Sequence, residues 1–235
     1  MTETLMRSLS HGYSALVLGA SGGIGQAFRW QLEMDAGCGK VVCLSRRDDA
    51  FDVTDENSVL RAADRMKSEA FDLIVCATGA LTINGLGPEK SLRQISQHLM
   101  MAQFALNAIG PALILKHFVP LLARRKRVIF AVLSARVGSI GDNALGGWIS
   151  YRSSKAALNQ IVHTAAIEVN RTNPSSLLVT VHPGTVKTDL SAPFASGHKR
   201  FEPNDAARRI LEMLDGLTPD RTGGFFAYDG TAIAW

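Results

Sequence analysis

Short, almost wholly apolar runs punctuate the chain, and between them lie longer stretches whose apolar residues recur every three to four positions. The short runs are Ser14–Leu18, Val41–Ser45, Leu73–Ala77, Arg127–Ser134, Leu177–His182 and Phe225–Tyr228, with a further short one placed before Asp52. Runs of this length bounded by Gly, Asp or Pro are the pattern of strands buried on both faces of a parallel sheet. The longer stretches predict helices at Ile24–Met34, Glu56–Lys67, Leu92–Asn107, Pro111–Arg124, Tyr151–Asn170 and Asn204–Leu214. Strand and helix thus alternate along the chain, with no repeat, low-complexity tract or linker between them. The expectation is one α/β domain over residues 1–235: a doubly wound Rossmann-type fold with a mainly parallel sheet of about seven strands and helices on both faces.

Composition narrows the picture. With 235 residues, 46% of them hydrophobic and 20% charged, the chain can bury a sizeable core, and disorder is a poor description of it. The net charge of +4 is spread thinly. Its one dense run, Arg124-Arg125-Lys126-Arg127, reads as a solvated helix end suited to the C-terminal dipole, so no nucleic-acid partner is expected. The longest apolar stretch, Ala105–Leu122, is interrupted by Asn107, Gly110, Pro111, Lys116 and His117 and falls short of about 20 clean apolar residues, so no membrane span is expected. Glu3 and Arg7 precede a short apolar run that leads straight into a glycine turn, which is not a secretory layout, and a cytoplasmic location is expected. Cys38, Cys43 and Cys76 have neither C-x-x-C spacing nor a His cluster nearby and read as reduced thiols, outside any disulfide or metal site.

The first predicted strand runs into Gly19-Ala20-Ser21-Gly22-Gly23-Ile24-Gly25, which opens directly into a helix. Glycines there permit a tight turn and let backbone N–H groups approach a pyrophosphate, which the positive end of the helix also favours. Gly19, Ser21, Gly22, Gly23, Ile24 and Gly25 are therefore candidate phosphate-binding residues, spaced G-x-x-x-G-x-G. The second strand ends Leu44-Ser45-Arg46-Arg47, where a fold that prefers NAD places an acid against the ribose 2′-hydroxyl. Arg46 and Arg47 suit a 2′-phosphate through charge and paired donors, so NADP(H) is expected over NAD(H). Asp52 and Val53 either lie along an adenine edge, Asp52 accepting from its amino group, or form the turn and cap ahead of Glu56. Tyr151 and Lys155 fall one turn apart on one helix face. An ammonium that close favours the phenolate and lowers a pKa that is ordinarily about 10, so the tyrosine can exchange a proton with an alkoxide.

Together these residues resemble the short-chain dehydrogenase/reductase family, of the small single-domain type with a Tyr-x-x-x-Lys active site, over almost the whole chain. The glycine turn matches the family's cofactor motif. Asn107, in Leu106-Asn107-Ala108-Ile109-Gly110-Pro111, matches its helix asparagine, and Tyr151 with Lys155 its catalytic pair. Pro183-Gly184-Thr185-Val186-Lys187-Thr188 matches the segment that meets the nicotinamide end. Ser134-Ala135-Arg136-Val137-Gly138-Ser139-Ile140, Gly146-Gly147-Trp148 and the stretch from Asp215 to Ala227 are similar to the C-factor branch, itself similar to the insect carbonyl reductase sniffer. Where the family carries Asn-Asn-Ala-Gly this chain has Cys76-Ala77-Thr78-Gly79, which leaves Ala77, Thr78 and Gly79 on the adenosine side. The family's usual serine position is Gly138 here; Ser134 at the strand end is preferred as the catalytic serine, with Ser139 the alternative.

The resemblance implies reversible hydride transfer between a nicotinamide and a small carbonyl or secondary alcohol, without a metal. Ser134 polarises the carbonyl, Tyr151 acts as general acid/base, Lys155 holds the nicotinamide ribose, and Asn107 fixes a water that replenishes protons. Pro183, Gly184, Val186 and Thr188 line the nicotinamide end. The substrate surface is the Gly-rich loop with Trp148 and the segment Thr188–Phe201, whose Pro193, Phe194 and Phe201 form an apolar lid or ordinary packing. His182 reads as a strand-end residue rather than a base, and Met100-Met101 as packing. A homodimer or homotetramer through the helices around Leu106–Leu122 and Tyr151–Asn170 is implied. The other function class is an NADP-binding sensor or signalling protein with incidental turnover, away from which Tyr151, Lys155 and Asn107 point.

Overall fold

The computed structural model describes residues 4–189, 191–192 and 200–235. In chain order the elements are β1 (Tyr13–Leu18), α1 (Gly23–Met34), β2 (Cys38–Leu44), the short α2 (Arg46–Asp49), α3 (Glu56–Asp64), β3 (Leu73–Cys76), α4 (Gln97–Phe104), α5 (Gly110–Phe118), β4 (Val128–Leu133), α6 (Ile149–Asn170), β5 (Ser176–His182), α7 (Pro203–Gly216) and β6 (Phe225–Ala227). The strands form one sheet in the order β2-β1-β3-β4-β5-β6, parallel at every pairing. The chain moves outward from β1 to β2, then returns to β3 on the other side of β1. That reversal opens a crevice at the carboxyl ends of β1 and β3, where ligands of such sheets bind.

Alternation along the strands builds two cores. Leu16, Leu18, Ile74, Phe130 and Leu178 face α3, α5 and α6, while Ala15, Val17, Val75, Ala131 and Val179 face α1 and α7. Phe118 and Phe130 on one side and Phe28 on the other are fully buried. Each such side chain contributes about 1.5–3 kcal/mol before chain entropy is counted against it.

Among the described residues the sheet has six strands, against the expected seven or so. The segment before Asp52 is no strand, because Phe51 N–H turns back to the Ser45 carbonyl and Ala50 is left-handed at φ 53°. Beyond β6 the chain returns as an isolated antiparallel bridge, Phe226 to Ala232, and adds no further strand among the described residues. The helices expected at Leu92–Asn107 and Pro111–Arg124 are one continuous helical run from α4 into α5, joined by a π-helical turn at Ala105–Ile109. Pro111 has no N–H to give the Asn107 carbonyl, and the Gly110 N–H reaches back to the Ala105 carbonyl, one residue further than in an α-helix. The run Gln97–Leu121 is long and apolar enough to cross a membrane, with mean hydropathy 1.4, yet Ile114, Leu115 and Phe118 within it are buried against the sheet. The basic run after it lies outside any helix. Lys126 pairs with buried Asp72 at 2.5 Å, and the Arg127 guanidinium donates to the carbonyls of Leu214, Asp215 and Leu217 at the end of α7.

Candidate active site

The glycine turn folds over the end of β2, because the N–H groups of Gly19 and Ala20 both donate to the Leu44 carbonyl. Gly19 has φ +87°, and a Cβ on Gly25 would stand 2.1 Å from the Gly19 carbonyl oxygen, so only glycine closes this turn. A Cβ on Gly23 would meet Thr188 Cγ2 at 2.8 Å, which draws the segment after β5 against the start of α1. The first turn of α1 carries no acidic residue, and its cap, Gly22, offers no side-chain acceptor. The N–H groups there stay open to an anion, as a dinucleotide pyrophosphate requires.

At the end of β2, Ser45 caps α2 by accepting from the Asp48 N–H. Two acids unweighed in the sequence reading, Asp48 and Asp49, fold back on Ser45, taking its hydroxyl and its backbone N–H respectively. Arg47 is tied to Asp48 at 3.0 Å, whereas Arg46 is exposed and makes no ion pair among the described residues. Asp52 accepts from the Thr54 N–H and hydroxyl, and these bonds hold its carboxyl below the usual range. The cap of α3 is Asp55, not Asp52. Val53 is buried, its carbonyl pressed against the bare Cα of Gly110 at the helix kink.

A cavity of about 710 Å³ opens at the carboxyl ends of β3, β4 and β5. Ile24, Ala77, Thr78, Gly79, Ser134, Tyr151, Lys155, Pro183, Gly184, Val186 and Thr188 all line it. Ser139 does not; it is 2% exposed and its hydroxyl accepts from the Asp142 N–H. Gly138 packs on α6 so closely that a Cβ would stand 2.9 Å from the Lys155 carbonyl carbon, which leaves no room for a serine there. Ser134, one residue past β4, donates to Asn159 Oδ1 at 2.7 Å. The glycines of the turn, Arg46, Arg47, Asp52 and Val53 lie outside this cavity, towards the β2 side of the crevice.

Tyr151 and Lys155 project from the first turns of α6, each almost completely buried. Burial pushes the Lys155 ammonium down to about 8, and its Nζ donates to the Leu133 carbonyl at 3.0 Å. Burial pushes the Tyr151 phenol above its usual value. The expected lowering by Lys155 is absent in this arrangement: the amine is turned to Leu133, and desolvation governs the phenol. Asn107, carried by the π turn, is fully buried. Its Oδ1 accepts from the Ala80 N–H at 3.0 Å, and its Nδ2 donates to the Ala80 carbonyl and to Gln103 Oε1.

Several residues of the site escaped the sequence reading. Gln103 and Asn159 sit one turn from Asn107 and Lys155, a spacing that marks shared helix faces. Glu89 is 3% exposed and gives α6 the cap its own sequence lacks. Its carbonyl accepts from the Trp148 N–H, and its carboxylate from the N–H and hydroxyl of Ser150. Gly146, Gly147 and Trp148 are all left-handed, and the Trp148 ring stands edge-on to Tyr151 at 6.4 Å. Phe201 stands edge-on to Tyr228 beside Gly184, while Pro193 and Phe194 lie outside the described residues.

The family model described as short chain dehydrogenase matches residues 13–199. The chain belongs to the short-chain dehydrogenase family. This short-chain dehydrogenase is 31% identical over 234 residues to the 1-hydroxy-2-glutathionyl-2-methyl-3-butene dehydrogenase of Rhodococcus, covering 94% of this chain and 99% of that one. It is 35% identical over 137 residues to C-signal of Myxococcus xanthus, covering 58% and 78%, in keeping with the C-factor branch. Its fold is that of the NADPH-bound carbonyl reductase from chicken fatty liver, with TM-score 0.82 and 23% identity over 97% of this chain and 96% of that one.

Proposed function

We propose that this short-chain dehydrogenase transfers hydride reversibly between NADP(H) and a small carbonyl or secondary alcohol, with Tyr151 as the acid/base. The observation that carries the reading is the convergence of Ser134, Tyr151 and Lys155 on one cavity at the carboxyl ends of β3, β4 and β5. The bound nicotinamide supplies the hydride; this chain supplies position and protons. Burial keeps the Tyr151 phenol protonated at neutral pH, which suits it to protonate an alkoxide oxygen as a carbonyl is reduced. The single proton of the Ser134 hydroxyl rests on Asn159, and turning it to a substrate oxygen exchanges one acceptor for another. Lys155, cationic below about pH 8, has N–H donors beyond the one taken by the Leu133 carbonyl for a ribose hydroxyl, and once its amine turns from Leu133 towards Tyr151 it offsets the charge left on the phenolate. The Asn107 amide is spent on Ala80 and Gln103, so a relay water is held there through its backbone carbonyl.

Arg46, exposed and without an ion pair among the described residues, supports a 2′-phosphate and hence NADP(H) over NAD(H). The name of the Rhodococcus relative, a dehydrogenase of a 1-hydroxy compound, supports the alcohol/carbonyl substrate class. Exposed Met101 and Ile109 on the α4–α5 run and Ile167 on α6 support association of two or four copies through these helices. The likeness to C-signal supports a second reading, an NADP-binding signalling protein with incidental turnover. NADPH oxidation over a panel of ketones, aldehydes and quinones separates the two, since a signalling protein binds NADPH and leaves the panel unreduced.

A further inference from the structure

His182 ends β5 beside the catalytic serine. Val181 packs in the α1 and α7 core, so the next residue, His182, faces the opposite side, where α6 carries Tyr151 and Lys155. The Ser134 N–H donates to the Val181 carbonyl at 2.8 Å and extends the β4–β5 register past Leu133 and Val181. His182 and Ser134 therefore leave neighbouring strands side by side, about 4.8 Å apart, on one face. Both line the cavity.

The imidazole is incompletely used. Among the described residues neither ring nitrogen has a hydrogen-bond partner; Nδ1 is buried, whereas Nε2 is not. The charged groups that act on the ring are Arg136 and Asp229. Burial, and then Arg136, push the imidazolium down to about 4, so the ring is neutral and carries one proton. With no acceptor at Nδ1, that proton is best placed on Nε2, at the cavity wall. An apolar residue at this position would avoid the cost of a buried unpaired nitrogen.

We propose that His182 Nε2 binds a second oxygen of the substrate, so that the preferred carbonyl compounds carry a hydroxyl or a further carbonyl within one or two carbons of the reacting group. This rests on the reductase reading above. It sets the substrate class: the reacting oxygen lies at Ser134 and Tyr151, and the second oxygen lies at His182. A site that reserves a buried polar group for one substrate oxygen discriminates against analogues that lack it.

The test measures NADPH-dependent reduction of 2-butanone, 2,3-butanedione and 4-hydroxy-2-butanone by the intact protein and by its His182→Leu and His182→Gln variants. Intrinsic reactivity cancels when the ratio of kcat/KM for each two-oxygen substrate to that for 2-butanone is compared between proteins. The ratio is expected to fall about tenfold in His182→Leu, mainly through KM, and to stay within about threefold in His182→Gln, whose amide nitrogen replaces Nε2. If the leucine variant does not fold, His182→Phe takes its place. A ratio unchanged in the apolar variant, or lost equally in both variants, overturns the assignment while leaving the reductase reading intact. No turnover of any of the three substrates by the unaltered protein overturns the reductase reading and the assignment with it.

Discussion

Gly79 and Lys155 are fitted to each other across the cavity floor: a Cβ on Gly79 would stand 3.3 Å from Lys155 Nζ, and 3.0 Å from Asn107 Oδ1. The residue has φ +145°, in the region that L side chains rarely adopt. Of the sequence Cys76-Ala77-Thr78-Gly79, the glycine is thus the position with least room for change. Gly79→Ala is expected to displace the lysine amine or the asparagine clamp and to lower kcat at least tenfold with a smaller change in thermal stability. Steady-state rates beside a melting curve check this; an alanine variant of normal kcat would place the lysine elsewhere.

Glu89 closes the start of α6 from 61 residues away by accepting from the N–H and hydroxyl of Ser150. Glu89→Ala leaves those donors buried and unpaired and is expected to cost about 1–3 kcal/mol of stability. Because Tyr151 follows Ser150 directly, kcat is expected to fall as well. Denaturant unfolding measures the first effect and turnover at saturating substrate the second.

The alkaline limb of activity is expected near pH 8. As pH rises through that value the Lys155 ammonium is lost, and with it the charge that offsets the Tyr151 phenolate. The linkage to stability runs the other way: a lysine depressed when folded favours the folded state progressively more as pH rises from about 8 to its unfolded value of about 10.4. His182, neutral above about pH 4, adds no limb between pH 5 and 7. A profile of kcat/KM checks both statements, and Lys155→Arg is expected to move the limb to higher pH.

Arg46 and Arg47 are expected to contribute unequally to cofactor choice. Arg47 already holds Asp48 at 3.0 Å, while Arg46 is uncommitted among the described residues. Arg46→Ala is expected to weaken NADPH about tenfold or more and NADH little, and Arg47→Ala to do less. Titration of each protein with both nucleotides measures it; equal losses for the two nucleotides would remove the 2′-phosphate from the account.

Local patterns were readable from the sequence, and long-range contacts were not. The glycine turn, the carboxyl ends of the strands and the Tyr151–Lys155 pair follow from spacing within one element; the turn and the pair stand where expected, and each strand ends within one residue of its expected position. Pro111 was legible as a break because the missing N–H is the same signal in a helix end and in a π turn; only the Gly110 to Ala105 bond distinguishes them. Ser134 was preferred to Ser139 for its place at a strand end, and it is the one whose side chain lines the cavity, although sequence order alone does not encode which side chain reaches it. Glu89, Asn159 and the orphaned nitrogen of His182 acquire meaning only from partners, or missing partners, brought near by folding. Spacing placed Lys155 beside Tyr151 correctly but not the direction of its amine, which is taken by the Leu133 carbonyl.

In the proposed mechanism Tyr151 delivers the proton in an NADPH-dependent reduction. The most direct measurement follows NADPH oxidation at saturating ketone for the unaltered protein and for Tyr151→Phe, with NADPH binding measured on both. Saturable oxidation is expected to fall at least about a hundredfold in the phenylalanine protein while NADPH affinity changes less than about threefold. Undiminished turnover in the phenylalanine protein, with binding intact, would contradict it.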